Sequence, residues 1–136
     1  MRAVLDVNVV ISGLLSRSGA PAGLLSAVDD GAFEAVASPK LLAELARALA
    51  YPKLRRHIPQ DDADAILHWF ANTATVLPDP SQPPPARSQD ADDDYLIALA
   101  SAHRAALVSG DNHLLALASA IPVFAPREFL ALIASQ

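Results

Sequence analysis

The sequence predicts an α/β fold, a three-layer α/β/α sandwich in which helices cover both faces of a small parallel sheet. Short apolar segments alternate with segments of helical periodicity along the chain. The apolar segments are hydrophobic at nearly every position, as is typical of strands buried on both faces. The chain has 136 residues, a length that fits one domain spanning residues 1–136.

The elements follow one another in a regular order. The sequence predicts a strand at AVLDVNVVIS, a helix at PAGLLSAVDDG, a strand at FEAVAS, helices at SPKLLAELARALAYP, PQDDADAILHWFANTATVL and DDDYLIALASAHRA, a strand at ALVSGD, a short helix at NHLLALAS, a strand at IPVFAP and a helix at REFLALIAS. The helix after FEAVAS is the best marked, because Ser38 suits its N-cap and Pro39 its first turn. PDPSQPPPARSQ holds five of the eleven prolines and predicts an exposed loop.

Composition excludes several classes of protein. The chain has no cysteine, so disulfides and thiolate metal sites are ruled out. No apolar stretch approaches the roughly 20 residues of a membrane-spanning helix, and no signal-peptide pattern is present, so we expect a cytoplasmic protein that does not enter a membrane. The net charge of −5 argues against a broadly basic nucleic-acid surface. The basic run KLRRH at 53–57 is open to two interpretations, a solvated helix end or a contact with an RNA backbone.

Four acidic residues are the candidates for chemistry. Asp6 stands inside an apolar run, where an ionised carboxylate needs a cation, a metal ion or several donors. Asp111 follows a predicted strand, at the edge where open α/β sheets collect ligands. Glu44 and Asp94 lie on predicted helices. Each of these three also has a structural interpretation: Asp111 as an N-cap, Asp94 as a complement to a helix dipole, and Glu44 as a partner of Arg47.

The acidic residues together predict a site for a hard divalent cation. Carboxylates that converge at one sheet edge repel one another unless a cation neutralises them. Magnesium and manganese prefer oxygen ligands, and such a site can activate water and clamp a phosphodiester. It would also give an acidic chain a local affinity for phosphate. The four histidines lack the spacing of a helical zinc site, and no phosphate-binding glycine loop or serine nucleophile motif is present.

Five segments carry a resemblance to a known family. In order and spacing, LDVNVVISGLL, LLAEL, DADDDYLIALA, LVSGDNHLL and PVFAPREFLALI resemble a PIN domain, and the chain most resembles the single-domain bacterial VapC-like toxins of toxin–antitoxin modules. The resemblance spans nearly the whole chain. It implies a parallel α/β/α sandwich, metal-dependent ribonuclease activity, an RNA substrate and a cognate antitoxin protein.

The resemblance also assigns the site residues. It implies that the catalytic and metal-binding set is Asp6, Glu44, Asp94 and Asp111, with Asn8 and Ser109 as accompanying polar side chains. A shift of one residue within the acidic run would give the third position to Asp93 instead. His113 stands where many relatives place a further acid, which puts a fifth ligand in doubt.

We therefore expect an endoribonuclease that uses Mg²⁺ or Mn²⁺ and hydrolyses RNA phosphodiester bonds. Two other classes remain open at this point. One is a phosphotransfer protein of the receiver or aspartyl-phosphate phosphatase type, although Asn8 stands where the phosphatase has a second acid. The other is a non-catalytic PIN-like binding module. The bulky apolar residues of AILHWF and REFLALIAS further predict a homodimer and a groove for an antitoxin helix.

Overall fold

Five parallel strands form one sheet in a computed structural model that describes residues 1–136. The strands are Arg2–Leu5 (β1), Glu34–Ala37 (β2), Thr75–Val76 (β3), Ala106–Val108 (β4) and Val123–Phe124 (β5). Their order is β3-β2-β1-β4-β5, and Val4 of the central strand pairs with Val36 on one side and Leu107 on the other. Helices flank this sheet, so the predicted α/β fold with a parallel sheet is confirmed.

Eight helices connect and cover the strands. They are Val7–Leu15 (α1), Ala20–Asp29 (α2), Pro39–Leu49 (α3), Pro52–Arg55 (α4), Gln60–Thr73 (α5), Asp94–Ala102 (α6), Asn112–Leu115 (α7) and Pro126–Ala134 (α8). A 3₁₀ turn at Ala91–Asp93 leads directly into α6. The predicted start of α3 is confirmed, because the Ser38 hydroxyl accepts the backbone N–H of Leu41 at 3.2 Å.

The predicted strand AVLDVNVVIS is wrong in its second half. β1 ends at Leu5 and α1 begins at Val7, so Asp6 lies at the junction of strand and helix. Asp6 acts as the N-cap of α1, and its Oδ1 accepts the backbone N–H of Asn8 at 3.4 Å. The apolar run continues beyond Asp6 because α1 has a buried face. Periodicity alone does not separate a buried strand from a short buried helix.

Two short elements are absent from the sequence-based prediction. The helix predicted at PQDDADAILHWFANTATVL ends at Thr73, and the next residues form the edge strand β3. The β-branched pair in this strand extends the sheet beyond β2, where Val36 pairs with Thr75. The basic run at 53–57 begins inside α4, a single helical turn that starts at Pro52.

Part of the apolar surface that the sequence predicts for intermolecular contact on α5 and α8 lies in the core instead. Phe70 and Phe129 are fully buried, so neither ring is available to an intermolecular contact. Phe129 packs edge-on against Phe33, with ring centroids 5.3 Å apart. Ile66 and Trp69 on α5 remain partly exposed. No helix of the structure combines the length and apolar character needed to cross a membrane.

Candidate functional site

The candidate site lies at the carboxyl ends of the two neighbouring strands β1 and β4, near the centre of the sheet. The chain runs from β1 to β2 on one side, whereas β4 occupies the other side of β1. The crevice at the carboxyl ends of β1 and β4 is therefore a topological switch point, the place where open α/β sheets bind ligands. Asp6 follows β1, and Ser109 and Asp111 follow β4. The structure thus brings together predicted residues from two distant motifs.

Asp6 is the buried centre of this group and is only 6% exposed. The Ser109 hydroxyl donates to Asp6 Oδ2 at 2.8 Å and itself accepts the backbone N–H of Asp111 at 3.0 Å. Burial raises the pKa of Asp6 above its usual range, even though the hydrogen bonds from Ser109 and Asn8 lower it, and the negative charge of Asp111 raises it further. The carboxylate is held in position, but its charge is not fully compensated.

Asp111 serves the fold and faces the site at the same time. Its Oδ1 accepts the backbone N–H of His113 at 2.8 Å, so the N-cap interpretation holds for α7. His113 Nδ1 lies 3.7 Å from the same oxygen. The carboxyl group of Asp111 also contributes to the electrostatics of Asp6, so capping does not remove it from the acidic group.

Asp94 is turned away from this group. Its Oδ1 accepts the backbone N–H of Ser88 at 2.8 Å, and its Oδ2 lies 3.5 Å from Nη1 of Arg87. Both carboxylate oxygens therefore tie the proline-rich loop to the first turn of α6. This arrangement accounts for Asp94 without a metal ion.

Asp93 takes the place beside Asp6 and Asp111. Burial raises the pKa of Asp93 to about 7, with further contributions from the charge of Asp6, the carboxyl group of Asp111 and the charge of Asp90. Asp93 Oδ2 is buried and has no hydrogen-bond partner. A buried polar atom without a partner is costly, so this oxygen is suited to binding a cation.

Glu44 reaches the same group from α3. It lines a depression of about 190 Å³ together with Asp6, Asn8 and Asp93. Its Oε1 also accepts a hydrogen bond from Nη1 of Arg47 at 2.6 Å, so the structural interpretation of Glu44 is present as well. We call this depression, which includes Tyr51 and Tyr95 in its wall, the acidic pocket.

The pKa of Tyr95 is raised by burial and by the negative charges that surround its hydroxyl group in the acidic pocket. Burial raises the pKa of Tyr95, and the negative charges of Glu44, Asp6 and Asp93 raise it further. Three carboxylates, from the N-cap of α1, from α3 and from the turn before α6, thus act on one hydroxyl group. Sequence reasoning did not single out either tyrosine, and the available signal was their position beside the charged runs at 53–57 and 90–94.

The acidic pocket fits a hard divalent cation in its chemistry. No three His, Asp or Glu side chains are grouped closely enough to hold a metal ion as they stand. The donors that converge are nevertheless all oxygens, which Mg²⁺ and Mn²⁺ prefer. The raised pKa values of Asp6 and Asp93 and the unpartnered Asp93 oxygen are the marks of negative charge that lacks a counter-charge.

Comparison with known proteins gives consistent results. The sequence profile of the PIN domain family matches residues 2–113. The chain is 27% identical over 118 residues to MJ1680, an uncharacterized protein of Methanocaldococcus jannaschii, and the match covers 86% of this chain and 75% of that protein.

Two solved structures share the fold at low sequence identity. PAE2754 from Pyrobaculum aerophilum matches with a TM-score of 0.66 and 16% identity, over 100% of this chain and 91% of that one. A chain of VapBC2 from Rickettsia felis, solved bound to a DNA fragment from its promoter, matches with a TM-score of 0.64 and 14% identity. That match covers 92% of this chain and 98% of the other.

Replacing Asp93 with Asn should flatten the pH dependence of stability in the metal-free protein. The folded-state pKa of about 7 lies above that of an unfolded aspartate, about 3.9, so the folded chain holds a proton that the unfolded chain has released. The free energy of unfolding of the parent should therefore fall as the pH rises from about 4 through about 7. Asp93→Asn lacks this group and should lose less stability over that range.

Thermal melts in chelator at about pH 5 and about pH 8 measure this difference. Asp30→Asn, which removes an exposed carboxylate at the end of α2, is the control and should follow the parent. An Asp93→Asn profile that runs parallel to the parent would contradict the burial and charge environment described for Asp93.

Proposed function

Because the chain belongs to the PIN domain family, we propose that it is a divalent-metal-dependent endoribonuclease and the toxin of a toxin–antitoxin system. The observation that carries this proposal is the group formed by Asp6, Asp93 and Asp111 at the switch point of the sheet. In this group Asp6 is buried, the pKa values of Asp6 and Asp93 are raised, and Asp93 Oδ2 is buried without a hydrogen-bond partner. Such perturbed groups in a cleft are typical of catalytic sites.

We propose metal ligands that differ at one position from those implied by the family resemblance. Asp6, Asp93 and Asp111 would hold Mg²⁺ or Mn²⁺, and Glu44 would hold the ion or orient the attacking water. Asp93 takes the place that the family resemblance gave to Asp94, whose oxygens already bind the loop. When bound, the ion supplies activation of water and stabilisation of the charge that develops on the phosphate.

The remaining site residues position these groups. The Ser109 hydroxyl fixes the orientation of the Asp6 carboxylate. Glu44 is held by Arg47 and lies in the wall of the acidic pocket, where it can accept a proton from water. Asn8 has an exposed side chain between the acidic pocket and a second depression that contains Asp111, where its amide can donate to a phosphate oxygen.

The geometry gives less support to phosphotransfer. A phosphoryl acceptor must be reached by its donor, yet Asp6 is 6% exposed and both of its oxygens accept hydrogen bonds. Lys40, one of the two lysines of the chain, places its Nζ over the ring of Tyr95, 4.7 Å from the centroid. No observation therefore favours this alternative over hydrolysis.

We further propose an antitoxin partner and a homodimer. The name VapBC2 of the Rickettsia felis neighbour denotes a toxin–antitoxin pair, which supports the same kind of partner here. An apolar depression of about 400 Å³ between α1, α2 and α5 is lined by Leu14, Leu25, Ile66 and Trp69. A groove of this kind fits the apolar face of an amphipathic helix.

Cleavage of RNA should depend strictly on a divalent ion that prefers oxygen ligands. The purified protein is incubated with a mixed RNA pool after chelation, and then with Mg²⁺ or Mn²⁺ restored. Cleavage should stop in chelator and return with either ion, because the acidic pocket offers only oxygen donors. Undiminished cleavage after thorough chelation and dialysis would refute the mechanism. RNA binding without cleavage under any metal condition would instead support a non-catalytic PIN-like module.

Asp6→Asn should separate a metal ligand from a structural carboxylate. Burial disfavours the ionised form of Asp6, so without metal the variant should be as stable as the parent or more stable by about 1 kcal/mol. With metal the order should reverse, because a ligand at a hundredfold excess over Kd stabilises the state that binds it by about 2.7 kcal/mol. Cleavage should be lost in both conditions.

Thermal melts of parent and variant in chelator and in magnesium test this expectation. An equal loss of stability in both buffers would return Asp6 to a purely structural role as the cap of α1. Ser101→Ala, which removes an exposed hydroxyl in the last turn of α6 and away from both depressions, serves as the control and should leave the response to magnesium unchanged.

The chain should be a homodimer in solution at tens of micromolar. Leu132 on α8 is exposed, and Leu130 and Ile133 on the same helix stay partly exposed after the core is formed. Contact between copies would remove part of this surface from water. Light scattering gives the mass directly, and a monomer at this concentration would refute the dimer.

A further inference from the structure

Tyr51 is an exposed aromatic ring in the wall of the acidic pocket. The residue is 56% exposed, although it belongs to the same wall as Asp6, Glu44 and Asp93. Tyr51 does not belong to the buried core. Its hydroxyl group makes no hydrogen bond within the protein. The ring is therefore free to make a contact that the fold itself does not need.

The backbone holds Tyr51 rigidly. It occupies the N-cap of α4, and its carbonyl oxygen accepts the N–H groups of Leu54 at 3.0 Å and Arg55 at 2.9 Å. Pro52 follows at the first helical position and restricts the backbone there. The exposed ring thus projects from a fixed point beside the carboxylates, which lowers the entropy lost when it binds a ligand.

Three cations follow within the next five residues. Lys53, Arg55 and Arg56 are three of the ten lysines and arginines of the chain. None of the three has a carboxylate within ion-pair distance, in contrast to Arg47 and Arg87. Lys53 and Arg56 are exposed. Their charges are therefore available to a negatively charged ligand.

Two segments that adjoin wall residues of the acidic pocket differ in charge: α4 follows Tyr51 and is basic, and residues 90–93 are acidic. The segment 90–93 contributes the exposed Asp90 and Asp92, and Asp92 itself lines the acidic pocket. A polyanion that reaches the carboxylates is repelled by this segment and attracted by α4. The favourable approach to the acidic pocket therefore runs over Tyr51 and α4.

We propose that Tyr51 and α4 form a nucleotide-binding subsite next to the acidic pocket, in which the Tyr51 ring stacks on one unpaired base while Lys53 and Arg56 contact flanking phosphates. The role of this subsite in cleavage rests on the proposed ribonuclease function, whereas its binding of RNA does not. Tyr95 cannot fill the same role, because Lys40 covers its ring and its side chain is partly buried.

Stacking on an exposed ring requires a base that is not already stacked in a duplex. Aromatic platforms of this kind bind single strands with little sequence preference, because every base offers a flat face. The Tyr51 ring should therefore make the subsite prefer single-stranded over double-stranded RNA. The charges of Lys53 and Arg56 should add affinity for the phosphates of either form. These two contributions predict different results for variants of Tyr51 and of α4.

Binding is measured by the fluorescence anisotropy of a short labelled single-stranded RNA of mixed sequence, in chelator so that no cleavage occurs. Tyr51→Ala should weaken binding at least about fivefold, whereas Tyr51→Phe, which keeps the ring, should stay within about twofold of the parent. Binding of the same sequence as a duplex should not respond to either change. Unchanged binding by Tyr51→Ala, with its melting temperature also unchanged, would overturn the stacking role.

The charge contribution is tested by salt dependence. Lys53→Gln with Arg56→Gln should reduce the slope of log affinity against log salt by about 1.4, since each single-strand phosphate contact contributes about 0.7. Arg17→Gln with Arg104→Gln is the charge-matched control, because Arg17 lies beyond the far end of α1 and Arg104 precedes β4 at the amino edge of the sheet. An equal loss of slope in both double variants would refute a local contact at α4.

Parallel cleavage assays in magnesium distinguish this inference from the proposed function. If the parent cleaves RNA and Tyr51→Ala cleaves and binds as well as the parent, the subsite is refuted and the nuclease stands. If no variant cleaves but the binding pattern above is obtained, the nuclease is refuted and the subsite stands. If Tyr51→Ala raises KM with little change in kcat while Tyr51→Phe restores KM, both are supported.

Discussion

The hydrogen bond from Ser109 to Asp6 joins the two strands on which the candidate site is built. Asp6 lies between β1 and α1, and its backbone N–H also donates to the carbonyl oxygen of Val108 at 2.9 Å. The Ser109 hydroxyl in turn accepts the backbone N–H of Asp111. One buried carboxylate is thus connected to the end of β4 by both its backbone and its side chain. This connection fixes Asp6 and Asp111 relative to each other.

Such an arrangement is costly unless a cation completes it. Moving a carboxylate out of water costs several kcal/mol, while a hydrogen bond to a charged group contributes about 1.5 to 3 kcal/mol. Asp6 accepts two such bonds, and burial still raises its pKa. Asp93 adds a half-buried carboxyl group whose Oδ2 is buried and receives no hydrogen bond. Local structure alone gives no reason for this concentration of charge, and a bound divalent ion supplies one.

The sequence predicts the parts of this protein that depend on local chemistry. Ser38 and Pro39 mark the start of α3 because capping and proline geometry act within one turn. The end of β1 is harder to predict, since Val7 and Ile11 are buried in a helix just as they would be in a strand. The pairing of Asp6 with Ser109 spans 103 residues, and only the parallel order of β1 and β4 brings them together.

The acidic run at 92–94 shows why motif spacing leaves one residue of ambiguity. Successive residues of a helix point about 100° apart, so neighbouring carboxylates at its start cannot face the same group. Asp93 faces Asp6 and Asp111, Asp94 faces Ser88 and Arg87, and Asp92 is exposed at the rim. The sequence motif does not distinguish the three acids. In the fold, Asp93 lies near the other site carboxylates, Asp94 binds the proline-rich loop, and Asp92 is exposed to solvent. The direction in which the proline-rich loop returns to α6 decides which acid is left for the site, and that direction is not encoded in the acidic run.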